Sequence, residues 1–175
     1  MNPRLHPDDQ APLHWLSQHR SWMEERLLEL VSINSGSRNP VGINRVGEYY
    51  ASLFAERLEA QVEKHVLDPW QRINLQGQTV EQTLGCLWRI RKRPDAPIKI
   101  LLCGHLDTVF GQESPFQKPI YQDNNTLNAP GAADMKGGIL VMLSALEALE
   151  QHPKRDQIGW TVLLNPDEEI GSPGS

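Results

Sequence analysis

The chain has 175 residues, 39% of them hydrophobic, and a formal net charge of -5. That is enough for one sizeable domain or a large part of a bigger one, with the composition of an ordinary soluble globular protein. Mild acidity gives no electrostatic reason for nucleic acid or an anionic membrane as partner, and no apolar run reaches the length of a bilayer span.

The opening MNPRLHPDDQAP is polar and proline-bearing and lacks the apolar stretch of a secretory leader. Residues 1–13 are therefore expected to be a flexible segment, and 14–175 one folded unit. From His14 to about Ile33, Leu16, Trp22, Met23, Leu27, Leu30 and Val31 fall near one helical face. The turn residues of NSGSRNP end that helix. A second helix is expected over about 43–60, where Val46, Tyr49, Tyr50, Leu53 and Phe54 recur at helical spacing. LGCLWRIR (84–91) alternates, with Leu84, Cys86, Trp88 and Ile90 on one face, and reads as a half-buried strand. IKILLC (98–103) is apolar almost throughout, as a central strand covered on both faces would be. GGILVMLSALEALE (137–150) is a helix apolar around most of its circumference, suited to packing on a sheet, and GWTVLLN (159–165) is another buried strand. Strand, helix and strand in that order, with a short link, form a crossover unit with a parallel pair.

The fold class is thus α/β, with a mostly parallel central sheet flanked by helices. Cys86 and Cys103 sit in strand-like runs and read as small core residues in a reducing, cytoplasmic setting. The five tryptophans, Trp15, Trp22, Trp70, Trp88 and Trp160, read as core or boundary packing.

In open α/β sheets, sites form beyond the carboxyl ends of the strands. His105 and Asp107 follow one buried strand, and Asp167, Glu168 and Glu169 follow another. Three motifs carry the chemistry: GHLDTV, APGAADMKGG running into the helix, and NPDEEIGS. Singly, each has a structural reading. Asp107 could cap a turn, Asp134 could cap the next helix, and the PDEE acids could sit at a helix start favoured by its dipole. DMKGG resembles a phosphate loop only loosely, because the Lys-Ser/Thr ending is missing. Together they supply one imidazole and several carboxylates from three loops of one sheet. Zinc takes imidazole nitrogen and carboxylate oxygen, and a zinc hydrolase also needs a carboxylate outside the ligand set as base.

In order and spacing, the three motifs resemble metallopeptidase family 20, the co-catalytic zinc hydrolases that include aminoacylase, acetylornithine deacetylase, succinyl-diaminopimelate desuccinylase and the glutamate carboxypeptidases. The resemblance implies a zinc-exopeptidase-like catalytic domain and covers 98–175, with the two leading helices also fitting. It implies that His105 binds one zinc, Asp134 bridges two, Glu169 binds the second, Glu168 is the general base, and Asp107 orients His105. It implies a cis peptide at Asp134–Met135, and it allows cobalt in place of zinc. Implied substrates are a short peptide losing its C-terminal residue or an N-acyl amino acid, with a homodimer for the complete enzyme. Ala129-Pro130-Gly131 leans toward the carboxypeptidase side.

The family pattern continues beyond EEIGSPGS with further metal ligands and a smaller dimerisation and lid domain, and His65 and His152 are not substitutes for the missing ligands. The expectation is an inactive, poorly stable segment on its own, with an apolar sheet edge and one helix face uncovered. The alternative is a short form acting as a binding or regulatory module, or a defunct fragment.

Overall fold

A computed structural model describes residues 6–175. Residues 1–5 of the segment expected to be flexible lie outside this range. From Pro7 the chain is already helical, as a 3₁₀ turn at Pro7–Asp9 followed by α1 (Gln10–Ser17). The single helix expected from His14 is therefore two, α1 and α2 (Arg20–Val31), broken at Gln18 and His19. The His19 ring stacks on Trp15 and bonds its carbonyl at the end of the first helix.

The second expected helix is α3 (Pro40–Leu58), which starts three residues before the expected 43. Pro40 occupies the first turn, and the Asn39 side chain accepts from Gly42 N at 3.1 Å. Ile43, Val46, Tyr50, Phe54 and Leu58 make its buried stripe, spaced three and four apart. Four strands follow: β1 (Gln61–His65), β2 (Trp70–Ile73), β3 (Thr79–Gln82) and β4 (Leu87–Lys92). β2 and β3 form a separate antiparallel hairpin. β5 (Ile98–His105) leads to a small hairpin of β6 (Ile120–Asp123) and β7 (Thr126–Asn128), then to α4 (Gly137–Leu149) and β8 (Ile158–Asn165).

The main sheet has the order β1-β4-β8-β5. β5 and β8 are parallel, with α4 as crossover, in register from Ile98 opposite Ile158 to His105 opposite Asn165. The expected crossover is present, although the path from β5 to α4 carries the β6–β7 hairpin. The α/β class holds, but the described sheet is mixed rather than mostly parallel, since β1–β4 and β4–β8 pair antiparallel. Only the β5-to-β8 connection contains the helical crossover that parallel pairing needs. Ile90, Val162 and Leu164 of the sheet pack with the α3 stripe and with Ile139, Leu140 and Leu143 of α4 in one core.

One strand expectation is corrected. β5 is an edge strand, paired only with β8, and Ile98 and Leu101 are 51% and 62% exposed. Its continuous apolar run is that of a covered strand, but one side and one edge have no neighbour among the described residues. Cys103 is exposed for the same reason, whereas Cys86 is buried as expected.

On the far side of α4, two buried-edge acids differ. Glu147 is pushed up by burial against the pull of Arg57. Burial also pushes Glu150 up, but bidentate bonds from Arg93 (2.6 and 2.9 Å) and a contact with Lys92 at 3.1 Å outweigh it, and Glu150 lies below its ordinary value. A carboxyl depressed in the folded state contributes stability that is present above the unfolded pKa and is lost as pH falls through the folded one. Glu150→Gln is expected to cost about 1–2 kcal/mol at neutral pH and to flatten the loss of stability below about pH 4.5, as read by urea unfolding across pH.

Candidate metal centre

The parallel register sets the site. His105 ends β5 level with Asn165 at the end of β8, and Leu106 N donates to Asn165 O at 2.8 Å. The chain beyond each strand therefore emerges at the same height. His105 is 6% exposed and its two ring nitrogens face different ways. Nδ1 lies 3.0 Å from the Asp107 carbonyl and 3.4 Å from its Oδ1. Nε2 lies 2.9 Å from Asp134 Oδ1 and 3.9 Å from Glu168 Oε2. Nδ1–H donates to Asp107, and the charged ring also donates from Nε2 to Asp134, the nitrogen on which a cation would take the place of that proton.

Asp107 is fully buried and has no spare capacity for a ligand role. Its carboxylate accepts from Ser37 Oγ at 2.7 Å, from Glu168 N at 3.1 Å and from Glu169 N at 3.2 Å. It fixes the β8 turn as well as the imidazole. That turn is closed by Gly171 N on Glu168 O (2.9 Å) and Ser172 N on Asp167 O (2.8 Å), while the buried Asp167 carboxylate accepts from Gly174 N at 2.8 Å. Ser37 and Asp167 thus support the site. NSGSRNP reads as a helix stop, and nothing in it marks Ser37 as a partner 70 residues away.

Asp134 comes from the other side, on a wide turn over Ala132–Lys136 in which Asp134 and Met135 leave helical φ/ψ. The Asp134–Met135 peptide is cis, as the resemblance implies. Gly131 enters this turn at φ +70°, with Thr108 Cγ2 only 2.8 Å from where a Cβ would be. Lys136 leaves it with its side chain buried, not in a phosphate cradle. Its Nζ donates to Leu30 O (3.1 Å) at the carboxyl end of α2 and to Ile33 O (2.7 Å) just beyond it, and the Tyr50 hydroxyl donates to the Lys136 carbonyl at 2.5 Å. These two carbonyls and the negative dipole end of α2 take the place of a counter-ion. Burial pushes the ammonium down to about 8.

The five residues singled out in the sequence meet. His105, Asp134 and Glu169 each offer a ligand atom, and these atoms lie within 4.8 Å of one another. Glu168 stands beside the group and Asp107 behind it. Burial lowers the His105 ring, but its bonds to Asp107 and Asp134 outweigh that and hold it up at about 9. Burial raises Glu169, and although His105 pulls it down, Asp134, Asp107 and Glu168 push it further up. Carboxylate oxygens gather around one imidazole nitrogen, a donor set that fits a zinc-like divalent cation.

Residues 101–175 match the sequence family described as Peptidase family M20/M25/M40. Carboxypeptidase G2 from Pseudomonas sp. (strain RS-16) is 32% identical over 149 residues, covering 85% of this chain and 33% of that protein. Among solved structures, human carnosine dipeptidase 1 superposes with a TM-score of 0.72 at 22% identity, over 97% of this chain and 36% of that one. An M20 family metallo-carboxypeptidase from Sulfolobus solfataricus gives 0.64 at 20%, over 86% and 32%. Residues 101–175 thus carry the sequence pattern of the M20 peptidases, and the chain as a whole has the fold of the solved M20 structures. It spans about a third of the length of each of these relatives.

Replacing Lys136 by Met keeps the length of the side chain but removes the donor to Ile33 O and the second donor to Leu30 O. The expected cost is about 2–4 kcal/mol in equilibrium denaturation.

Proposed function

We propose that the protein is a metal-dependent hydrolase that cleaves an amide or peptide bond in a small substrate, acting as part of a longer enzyme. The observation that carries this reading is the convergence of His105, Asp134 and Glu169 within 4.8 Å, with Glu168 at their side. In this reading His105, Asp134 and Glu169 would hold two zinc ions between them, with cobalt an alternative on the same oxygen and nitrogen donors. Further ligands come from outside these residues, because each ion needs more donors than it finds here. When bound, the metal polarises the scissile carbonyl and lowers the pKa of water.

The rest is the work of this chain's side chains. Asp107 holds the His105 ring through Nδ1 and keeps Nε2 turned toward Asp134 and Glu168, where it would meet the metal. It also fixes the main chain of Glu168, whose carboxylate is 55% exposed at the edge of the group. Glu168 takes the proton of the attacking water and returns it to the leaving nitrogen. The substrate is the C-terminal residue of a short peptide or an N-acyl amino acid. The name of the relative carboxypeptidase G2 supports this class. A homodimer and a cytoplasmic location belong to the same proposal. No helix among the described residues is long and apolar enough to cross a membrane.

Glu168→Gln in the full-length protein is expected to lower the rate of amide hydrolysis about 10²–10⁴-fold. Bound metal, measured by elemental analysis, is expected to stay unchanged. Near wild-type turnover in this variant would remove Glu168 as the base.

A further inference from the structure

The torsion that aims the Asp107 carboxylate is a soft one. The bond from an aspartate's β-carbon to its carboxyl carbon has broad, two-fold preferences, so the oxygens stay in place only where their partners hold them. Oδ1 of Asp107 accepts from Glu168 N at 3.1 Å and lies 3.4 Å from His105 Nδ1. Oδ2 accepts from Glu169 N at 3.2 Å and from Ser37 Oγ at 2.7 Å. The hydroxyl is the closest of the four donors, and a bond to a charged acceptor is stronger than one between neutral groups. It is also the one partner that belongs neither to the end of β5 nor to the turn after β8.

The main chain around Ser37 fixes where that hydroxyl stands. Ser37 N donates to Thr108 O at 3.1 Å and Thr108 N to Ser35 O at 2.9 Å, so the loop runs alongside the residue that follows Asp107. Gly36 allows this approach, since a Cβ there would stand 2.5 Å from Phe110 O. The Asn34 side chain donates to Phe110 O, Gly111 O and Gln117 Oε1 at 2.9–3.2 Å and ties the start of the loop to the same segment. Ser37 and Asp107 are both buried, which shields the bond between them from water.

We infer that Ser37 is a positioning residue for the metal centre: its hydroxyl locks the torsion of the Asp107 carboxylate and, through it, the His105 ring and the main chain of Glu168 and Glu169. Without the hydroxyl, Oδ2 keeps a single amide partner at 3.2 Å. The two oxygens turn as one rigid group, so what Oδ2 loses is felt at His105 Nδ1 and Glu168 N on Oδ1. The imidazole retains the Asp107 carbonyl at 3.0 Å and gives up its second hold. The effect on turnover rests on the hydrolase reading above, whereas the effect on the Glu168 and Glu169 amides does not.

The test compares the full-length protein with its Ser37→Ala, Ser37→Thr and Asn39→Ala variants. Asn39→Ala loosens the same loop by removing the cap of α3 and the bonds to Asn34, and it leaves the donors of Asp107 in place. In the metal-free protein, hydrogen exchange followed by NMR is expected to show the Glu168 and Glu169 amides exchanging about 10-fold faster in Ser37→Ala. The Leu106 amide, bonded to Asn165, keeps its wild-type rate. Zinc affinity, measured by competition with a chromophoric chelator, is expected to fall about 10-fold, the lower end of the loss when a partner behind a metal-binding histidine is removed. kcat falls by a similar factor with KM within about twofold, since Ser37 acts through Asp107 and not on the substrate. Ser37→Thr, which keeps the hydroxyl, restores most of each loss, and Asn39→Ala shows none of them. If Ser37→Ala does not fold, Ser37→Cys, similar in size and a weaker donor, is read in its place. Wild-type exchange and zinc affinity in Ser37→Ala overturn the inference, and so do equal losses in Asn39→Ala, which would make the serine a loop stabiliser only. A protein whose zinc affinity depends on Ser37 but which cleaves no amide keeps the inference and sinks the hydrolase reading. Unchanged zinc affinity and turnover in Ser37→Ala, beside activity lost in Glu168→Gln, does the reverse.

Discussion

The buried carboxylate of Asp107 is the constraint on which the rest of the site depends. A charge with no exposed surface is costly unless its lone pairs are filled, and here they are filled from three separate parts of the chain. Ser37 Oγ comes from the loop between α2 and α3, and the amides of Glu168 and Glu169 come from the turn after β8. The His105 ring comes from the end of β5. Satisfying one acid therefore docks a loop, closes a turn and orients an imidazole together. Nothing in this arrangement can move alone, because moving any partner leaves part of a buried charge unpaired.

A second buried charge works from the opposite side. Lys136 follows the Asp134 turn and has no carboxylate among its bonds, only the carbonyls of Leu30 and Ile33. The end of α2 supplies those acceptors because its last carbonyls have no partners within the helix. The turn that carries Asp134 is thus tied to a helix end, while the residues facing it are tied to Asp107. The two anchors are independent, and the candidate metal group sits between them.

This division explains what could be read in the sequence. GHLDTV and DEEIGS follow apolar runs whose length marks them as strands, so their arrival at one end of a sheet was legible from periodicity alone, and the resemblance of three motifs in order carried the roles. The helical stripe of α3 and the β5–α4–β8 crossover were legible for the same reason. The supports were not. Ser37 meets Asp107 across 70 residues, and Lys136 reaches Ile33 across 103, and no local pattern encodes such a contact. Edge or centre was equally hidden in β5, since an apolar run states what a strand can bury and not whether a neighbour is there to bury it. The break between α1 and α2 depends on a Trp15–His19 stack, which a smooth helical periodicity conceals.

The exposures across the site show how the work of building it is shared. The side chains of His105 and Asp107 are 7% and 0% exposed, whereas those of Asp134 and Glu168 are 76% and 55% exposed. The fold has fixed the imidazole and its orienting acid in advance, with their desolvation offset by hydrogen bonds. It leaves the outer carboxylates in water, where a charged group costs little to keep but has its rotamers still to lose. Ordering those side chains is a cost that falls on cation binding, while placing His105 is not. Burial together with repulsion from Asp134, Asp107 and Glu168 pushes Glu169 up, and the same repulsion adds to the drive for a cation. A site built in this way holds its nitrogen donor rigid and lets its oxygens close on whatever cation arrives.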